Sequence, residues 1–301
     1  MGRLPVFLGL CSSLAILLGA TTPEQPKLIY TSNRTGSSND IFLINPDGSE
    51  PKNLTNSDYD NTYPAWSPDG KKIAFASSRA GNPAIHVMDA DGSNVKQITR
   101  DSIRDGAPAW SPDGKRIAFS RLIDGSNLDI FVMNPDGTAL VNLTNDPAYD
   151  MSPAWSPDGK KLAFSSNRAS PNGFRTYVMD ADGKNVRDIS KQDCGLGYMY
   201  PAWSPDGKSI LFGESSANGG GMEIFAVDPS GEHKRQITKI GGVNTHAAWS
   251  PDGKRIAFQH FDQVQAFGSL YMMDANGANP VEILKEEGLF DGGRPAWKPG
   301  K

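Results

Sequence analysis

An all-β fold, a six-bladed β-propeller of four-stranded blades, is predicted by three observations. All six tryptophans of the 301-residue chain stand in one recurring segment, at Trp66, Trp110, Trp155, Trp203, Trp249 and Trp297, so that successive copies lie 44 to 48 residues apart. A regular period of this length marks a repeat architecture and outranks any local motif. The segment reads PAWSPDG at 64–70, 108–114, 153–159 and 201–207, AAWSPDG at 247–253 and PAWKPG at 295–300. Prolines and glycines, 22 and 32 in all, recur at offsets that would break a helical array but suit tight turns between short strands.

Each element of the unit has its own signal. Strand A ends in Ala-Trp and runs into Ser-Pro-Asp-Gly, where proline fixes the first central φ, aspartate bonds its own backbone and glycine takes the left-handed position. Strand B follows as KIAFA at 72–76, RIAFS at 116–120, KLAFS at 161–165, SILFG at 209–213 and RIAFQ at 255–259. Ile or Leu stands two places before Phe, so both project from one face of a strand. Strand C is the short β-branched or aromatic run DIFLIN at 40–45, AIHVMD at 84–89, DIFVMN at 129–134, RTYVMD at 175–180, EIFAVD at 223–228 or SLYMMD at 269–274. A second Gly-ending turn such as Asn45-Pro46-Asp47-Gly48 leads to strand D, for example Lys52–Thr55 or Val141–Thr144. The chain starts this pattern at B, with Leu28, and ends it at A, with Trp297. The blades are therefore expected to be closed by the C-terminal A strand joining the N-terminal B, C and D strands. The six tryptophans are expected to be structural, packing blade on blade.

Residues 1–20 have the layout of a secretory signal: Arg3, an apolar run from Leu4 to Leu18, and small residues up to Ala20. The apolar run is shorter than the roughly 20 residues that span a bilayer comfortably, so no stable membrane insertion is expected. The organisation read from this is a signal at 1–20, a short leader at 21–26 and a single propeller at 27–301, in the periplasm or secreted. Removal of the signal would leave Cys194 as the remaining cysteine, without a disulfide partner. Net charge is −4, with both signs interspersed and no basic stripe, which argues against a nucleic-acid partner. A monomer is expected.

In such a meander the A–B and C–D turns share one face and are nearly invariant, while the D–A and B–C connections differ from blade to blade on the other. The residues ahead of each tryptophan on that variable face are the candidate partner-binding set: Asp60, Tyr63, Arg104, Asp105, Tyr149, Asp150, Tyr198, Tyr200, His246 and Arg294, with Asp291 beside them. Aromatics, carboxylates and guanidiniums at a channel mouth suit a protein or peptide ligand held by ring contact and charge-assisted hydrogen bonds. Arg34, Arg79, Arg121 and Arg168, just past their B strands, are expected to pair with aspartates such as Asp60, Asp105 and Asp150 and to lock blades together.

No catalytic residue is assigned. There is no Gly-x-Ser-x-Gly elbow, and no αβ segment to carry one. His246 and His260, with Asp262, form a weak candidate metal cluster, short of the three well-placed ligands a catalytic zinc normally takes. No cofactor is expected. The alternative reading built on those residues is a secreted, metal-assisted polysaccharide lyase or hydrolase.

PAWSPDGKKIAF at 64–75 and DIFVMNPDGTALVNLTN at 129–145, with their fellow copies, resemble the WD40-like repeats of the TolB-type β-propeller family. The resemblance covers about Lys27 to Lys301. It implies an exported, non-enzymatic propeller that engages a protein partner, an envelope protein being one candidate, through a face matched here to Tyr63, Tyr200, His246 and Arg294, three positions ahead of their tryptophans. TolB itself carries an α/β domain ahead of its propeller, whereas here the first B strand follows the signal directly, so membership of the Tol-Pal assembly is not implied. In peptidase relatives the catalytic domain is separate from the propeller.

Overall fold

The computed structural model describes residues 26–100, 104–125, 127–171, 173–191, 199–215, 221–262, 268–285 and 294–300. The predicted signal and nearly all of the leader lie outside these residues, as do Cys194, Tyr198, Asp291 and Lys301. Within them all regular structure is β-strand. The first unit holds β1 (Leu28–Ser32), β2 (Asp40–Ile44) and β3 (Lys52–Asn53). The second holds β4 (Asn61–Trp66), β5 (Lys72–Ser77), β6 (Ala84–Asp89) and β7 (Lys96–Gln97), and the third β8 (Asp105–Trp110), β9 (Ile117–Leu122), β10 (Leu128–Met133) and β11 (Val141–Asn142). The fourth is β12 (Asp150–Trp155), β13 (Lys161–Ser166), β14 (Arg175–Asp180) and β15 (Arg187–Asp188), and the fifth β16 (Ala202–Trp203), β17 (Ile210–Ser215), β18 (Gly221–Val227) and β19 (Arg235–Gln236). The sixth is β20 (Gly242–Trp249), β21 (Arg255–Phe261), β22 (Gly268–Asp274) and β23 (Val281–Lys285); β24 (Ala296–Trp297) ends the chain's regular structure.

The hydrogen bonding corrects the expected set of six separate four-stranded blades closed into a ring. The strands form five sheets, four of four strands and one of eight, and none closes on itself. The fifth and sixth units share the large sheet because β18 runs parallel to β20, with Gly221 opposite Gly242 and Met222 opposite Val243. Two glycines permit this approach: a Cβ on Gly221 would collide with the carbonyl oxygen of Gly242. At the chain ends β24 pairs antiparallel with β1, Leu28 opposite Trp297 and Ile29 opposite Ala296, giving the sheet order β24-β1-β2-β3.

Between units the contacts are apolar. Alternate residues of one strand face opposite sides of its sheet, and here both sides are covered. Ile29 and Ile41 pack with Trp66, Ile73 and Phe75 of the second unit, while Leu28, Tyr30 and Phe42 of the same sheet pack with Ala257, Leu270 and Met272 of the sixth. Four further clusters repeat this arrangement from unit to unit. The predicted B-strand phenylalanines Phe75, Phe119, Phe164, Phe212 and Phe258 are all fully buried at these seams. Indoles add a directional contact: Trp155, Trp203 and Trp297 donate through Nε1 to the carbonyls of Ala109, Ala154 and Ala248 of the preceding unit, at 3.1–3.2 Å.

The two repeated turns differ in what their glycines meet. In the Ser-Pro-Asp-Gly turns the serine hydroxyl donates to the aspartate, as from Ser67 to Asp69 at 2.6 Å, and this bond holds the carboxyl below its ordinary range. The neighbour of Gly114 is the Pro68 ring, 3.4 Å from where a Cβ would sit, an ordinary contact. In the turns after strand C the glycine abuts backbone of the neighbouring unit. A Cβ on Gly92, at φ +96°, would strike the carbonyl oxygen of Leu54. Gly92→Ala should therefore destabilise the protein by about 2 kcal/mol or more, from left-handed strain and displacement of the seam. Gly36→Ala, with nothing within 4 Å, should be near neutral. Chemical-denaturation midpoints of the two variants check this; equal midpoints would show that the turn does not fix the seam.

Candidate functional site

The site begins with a repeated irregularity of strand A. Register shifts occur between Thr62 and Ala65, Gly106 and Ala109, Met151 and Ala154, and Thr245 and Ala248, so that two residues oppose one on strand B. These are β-bulges, which bend a strand and re-aim a side chain. In these four copies, and also at Tyr200, the residue three before tryptophan takes the left-handed conformation: Tyr63, Ala107, Ser152, Tyr200 and His246 have φ between +41° and +57°. The next residue is proline in all but the His246 copy, and a proline suits a bulge because it has no N–H to give to a ladder.

The bulges bring distant side chains together. The rings of Tyr63 and Tyr200, from the second and fifth units, stack with centroids 6.5 Å apart, and Tyr200 lies 3.7 Å from the imidazole of His246. Both Tyr63 and Tyr200 interact electrostatically with the guanidinium of Arg294. Tyr63 and Tyr200 line a cavity of about 130 Å³, with Thr62, Arg104, Ala107 and Ser152 among its other walls. Arg294 instead lines a second cavity, of about 400 Å³, on which the Pro-Ala-Trp or Ala-Ala-Trp segments of all six units converge.

His246 is 2% exposed, and burial foremost, then the charge of Arg294, pushes its pKa down to about 3. The imidazole is therefore neutral at physiological pH and packs against the Tyr200 ring. His260 is held elsewhere, with its Nδ1 2.9 Å from Asn244 Oδ1, and burial lowers its proton affinity too. Among the described residues no group of three or more His, Cys, Asp or Glu could hold a metal ion.

The remaining predicted rim residues have diverse placements. Asp105 and Asp150 are buried in ion pairs: Asp105 takes a two-bond contact from Arg121 at 2.7 and 2.8 Å, and Asp150 accepts from Arg168 at 2.8 Å. Asp60 is exposed and accepts from the backbone and side chain of Asn39, not from an arginine; Arg79 donates instead to Asn61, and Arg34 to the Tyr30 hydroxyl. Tyr149 is half-buried, its backbone N–H donating to Asn167. Arg104 is exposed at the wall of the first cavity. Sequence reasoning missed Ala107 and Ser152, though both occupy the offset from tryptophan that singled out Tyr63 and Tyr200. Their small size removed them from a search for chemically active side chains.

Units of four strands repeated about a shared, aromatic-walled cavity define a β-propeller repeat domain. The chain belongs to the TolB β-propeller domain family, whose model matches residues 17–105 and 102–301. A TolB homolog from Chlorobium luteolum is 43% identical over 49 residues, which is 16% of this chain and only 11% of that protein's length. The crystal structure of TolB from Acinetobacter baumannii is similar with a TM-score of 0.74 and 24% identity, over 91% of this chain and 67% of that one. A putative TolB from Agrobacterium tumefaciens gives a TM-score of 0.71 and 22% identity, over 92% and 99%. Identities this low establish a common fold.

The buried imidazole makes stability depend on pH. An unfolded histidine titrates near 6.5, whereas folded His246 stays neutral to about 3, so the unfolded chain binds the extra proton between those values. Stability is thus complete above about pH 6.5 and falls on acidification, by about 2 kcal/mol at pH 5 from this group. His246→Asn, which tolerates the left-handed backbone, should flatten the loss measured by thermal melting between pH 7 and pH 5. His86, also buried with its proton affinity lowered, remains in the variant and leaves part of the slope. An unaltered slope would place His246 in contact with water.

Proposed function

We propose that the protein is an exported, non-enzymatic binding domain that takes an extended peptide segment of a protein partner at the first cavity. The observation that carries this reading is the meeting of Tyr63 and Tyr200 at the cavity wall, with Arg104 exposed beside them. Tyrosine offers a rigid apolar ring and a polar tip, and arginine a planar set of donors, the residue types that dominate protein-binding hot spots. Ala107 and Ser152 leave room for a main chain to approach the strand backbone. Belonging to the TolB propeller family supports protein binding, and the signal-like segment at 1–20 supports a periplasmic or secreted site with an envelope protein as partner.

A displayed library of random peptides panned against the whole protein tests this. Selected peptides should bind at least tenfold more weakly to Tyr63→Ala and to Arg104→Ala, measured by calorimetry on variants whose melting shows them folded. A library that yields no binder, or binders indifferent to both substitutions, would remove the first cavity as the site.

A further inference from the structure

The second cavity has walls of proline, alanine and tryptophan, and Arg294 is the one charged side chain among its described lining residues. Of the other partly buried arginines, Arg121 meets Asp105, Arg168 meets Asp150 and Arg175 meets Asp188, while Arg79, Arg116 and Arg255 lie over the rings of Phe75, Trp155 and Trp297. Among the described residues Arg294 meets no carboxylate. The described groups that act on it are the phenols of Tyr63 and Tyr200, and it lies close enough to buried His246 to disfavour a charge there. A guanidinium cannot shed its proton to relieve this situation. It is a fixed cation set in an apolar chamber, with no carboxylate beside it among the described residues, and an anion is what would complete such a site.

We propose that the second cavity is a carboxylate-binding site, in which Arg294 forms a two-bond pair with a peptide carboxylate whose carbon stem lies along the tryptophan wall. One guanidinium matches the single charge and two oxygens of a carboxylate. Inorganic phosphate, more highly charged and hydrated, would lose its water against walls that offer little to replace it. The carboxylate comes from an acidic side chain or from a chain terminus; the chemistry at Arg294 is the same. This site does not depend on peptide binding at the first cavity, whose named determinants are Tyr63 and Arg104.

The six tryptophans supply the readout, since all of them line the cavity. Tryptophan fluorescence of the whole chain is titrated at constant ionic strength with N-acetylaspartate amide, N-acetylalanine, N-acetylasparagine amide and inorganic phosphate. A saturable change with at least one of the two carboxylates is expected, the first reporting a side chain and the second a terminus, with no saturable change from the neutral amide. Arg294→Gln should weaken that binding at least tenfold. In the absence of probe, Arg294→Met should melt no lower than the parent, because it removes a cation that has no carboxylate partner among the described residues. The inference is overturned if neither carboxylate binds, if phosphate or the neutral amide binds as well, if Arg294→Gln binds equally, or if Arg294→Met melts lower. Each of these results is separable from the peptide-panning outcome, which is read at Tyr63 and Arg104.

Discussion

A single sheet of four short strands has two faces and no interior, and in this chain both faces are apolar. Leu28 and Ile29 are neighbours in β1, yet Leu28 belongs to a cluster with the sixth unit and Ile29 to one with the second. Every core is accordingly shared, and a unit lacking a neighbour on either side would expose a hydrophobic face. Roughly 25 cal/mol per Å² of apolar surface returned to water sets the scale of that cost. The requirement explains why β24, only two residues long, pairs with β1 rather than trailing free: it carries Trp297 into the seam between the sixth and first units. It also explains the glycines after strand C, which let backbone of one unit press on backbone of the next.

That packing is what permits the strained strand ends. Left-handed backbone costs an ordinary residue roughly 1–2 kcal/mol, and five described copies of strand A carry it at the same position. The bulge divides strand A into two parts with different duties. Beyond it, Ala-Trp pairs and packs; before it, the side chain is turned toward the cavities. Side-chain size at the bulge then shapes the space. Ala107 and Ser152, in the third and fourth units, border the first cavity, while Tyr63, Tyr200, His246 and Arg294 cluster from the other four.

Much of the strand pattern was legible because it is local. Ile and Phe two apart, and Ser-Pro-Asp-Gly between strands, follow from side-chain alternation and turn chemistry that need no knowledge of distant residues. The offset of three before tryptophan was legible as a position, but its left-handed φ was not, since tyrosine and histidine do not advertise it as glycine does. The fusion of the fifth and sixth units depends on Gly221 meeting Gly242, a parallel contact across a whole strand and loop that periodicity cannot show. Charge was legible in part. The arginines just past their B strands were expected to meet aspartates such as Asp105 and Asp150, and Arg121 and Arg168 do, though each pair lies within one unit and does not join two units, so these acids spend their charge within the fold.

That pairing shapes the electrostatic character of the site. Asp105 lines the first cavity beside Arg104, but its charge is taken up by Arg121, and among the described lining residues the second cavity has Arg294 as its charged group. His246 could have added a further, titratable charge, and the order of causes behind its low proton affinity decides that it does not. Burial is the larger cause and Arg294 the lesser. Neutralising Arg294 with an anion would remove only the lesser one, and the imidazole would stay uncharged through the mildly acidic range. By reciprocity, protons then have little influence on an anion held at Arg294. The imidazole's contribution is its flat surface against Tyr200, and its acid sensitivity belongs to the stability of the fold rather than to the occupancy of the cavity.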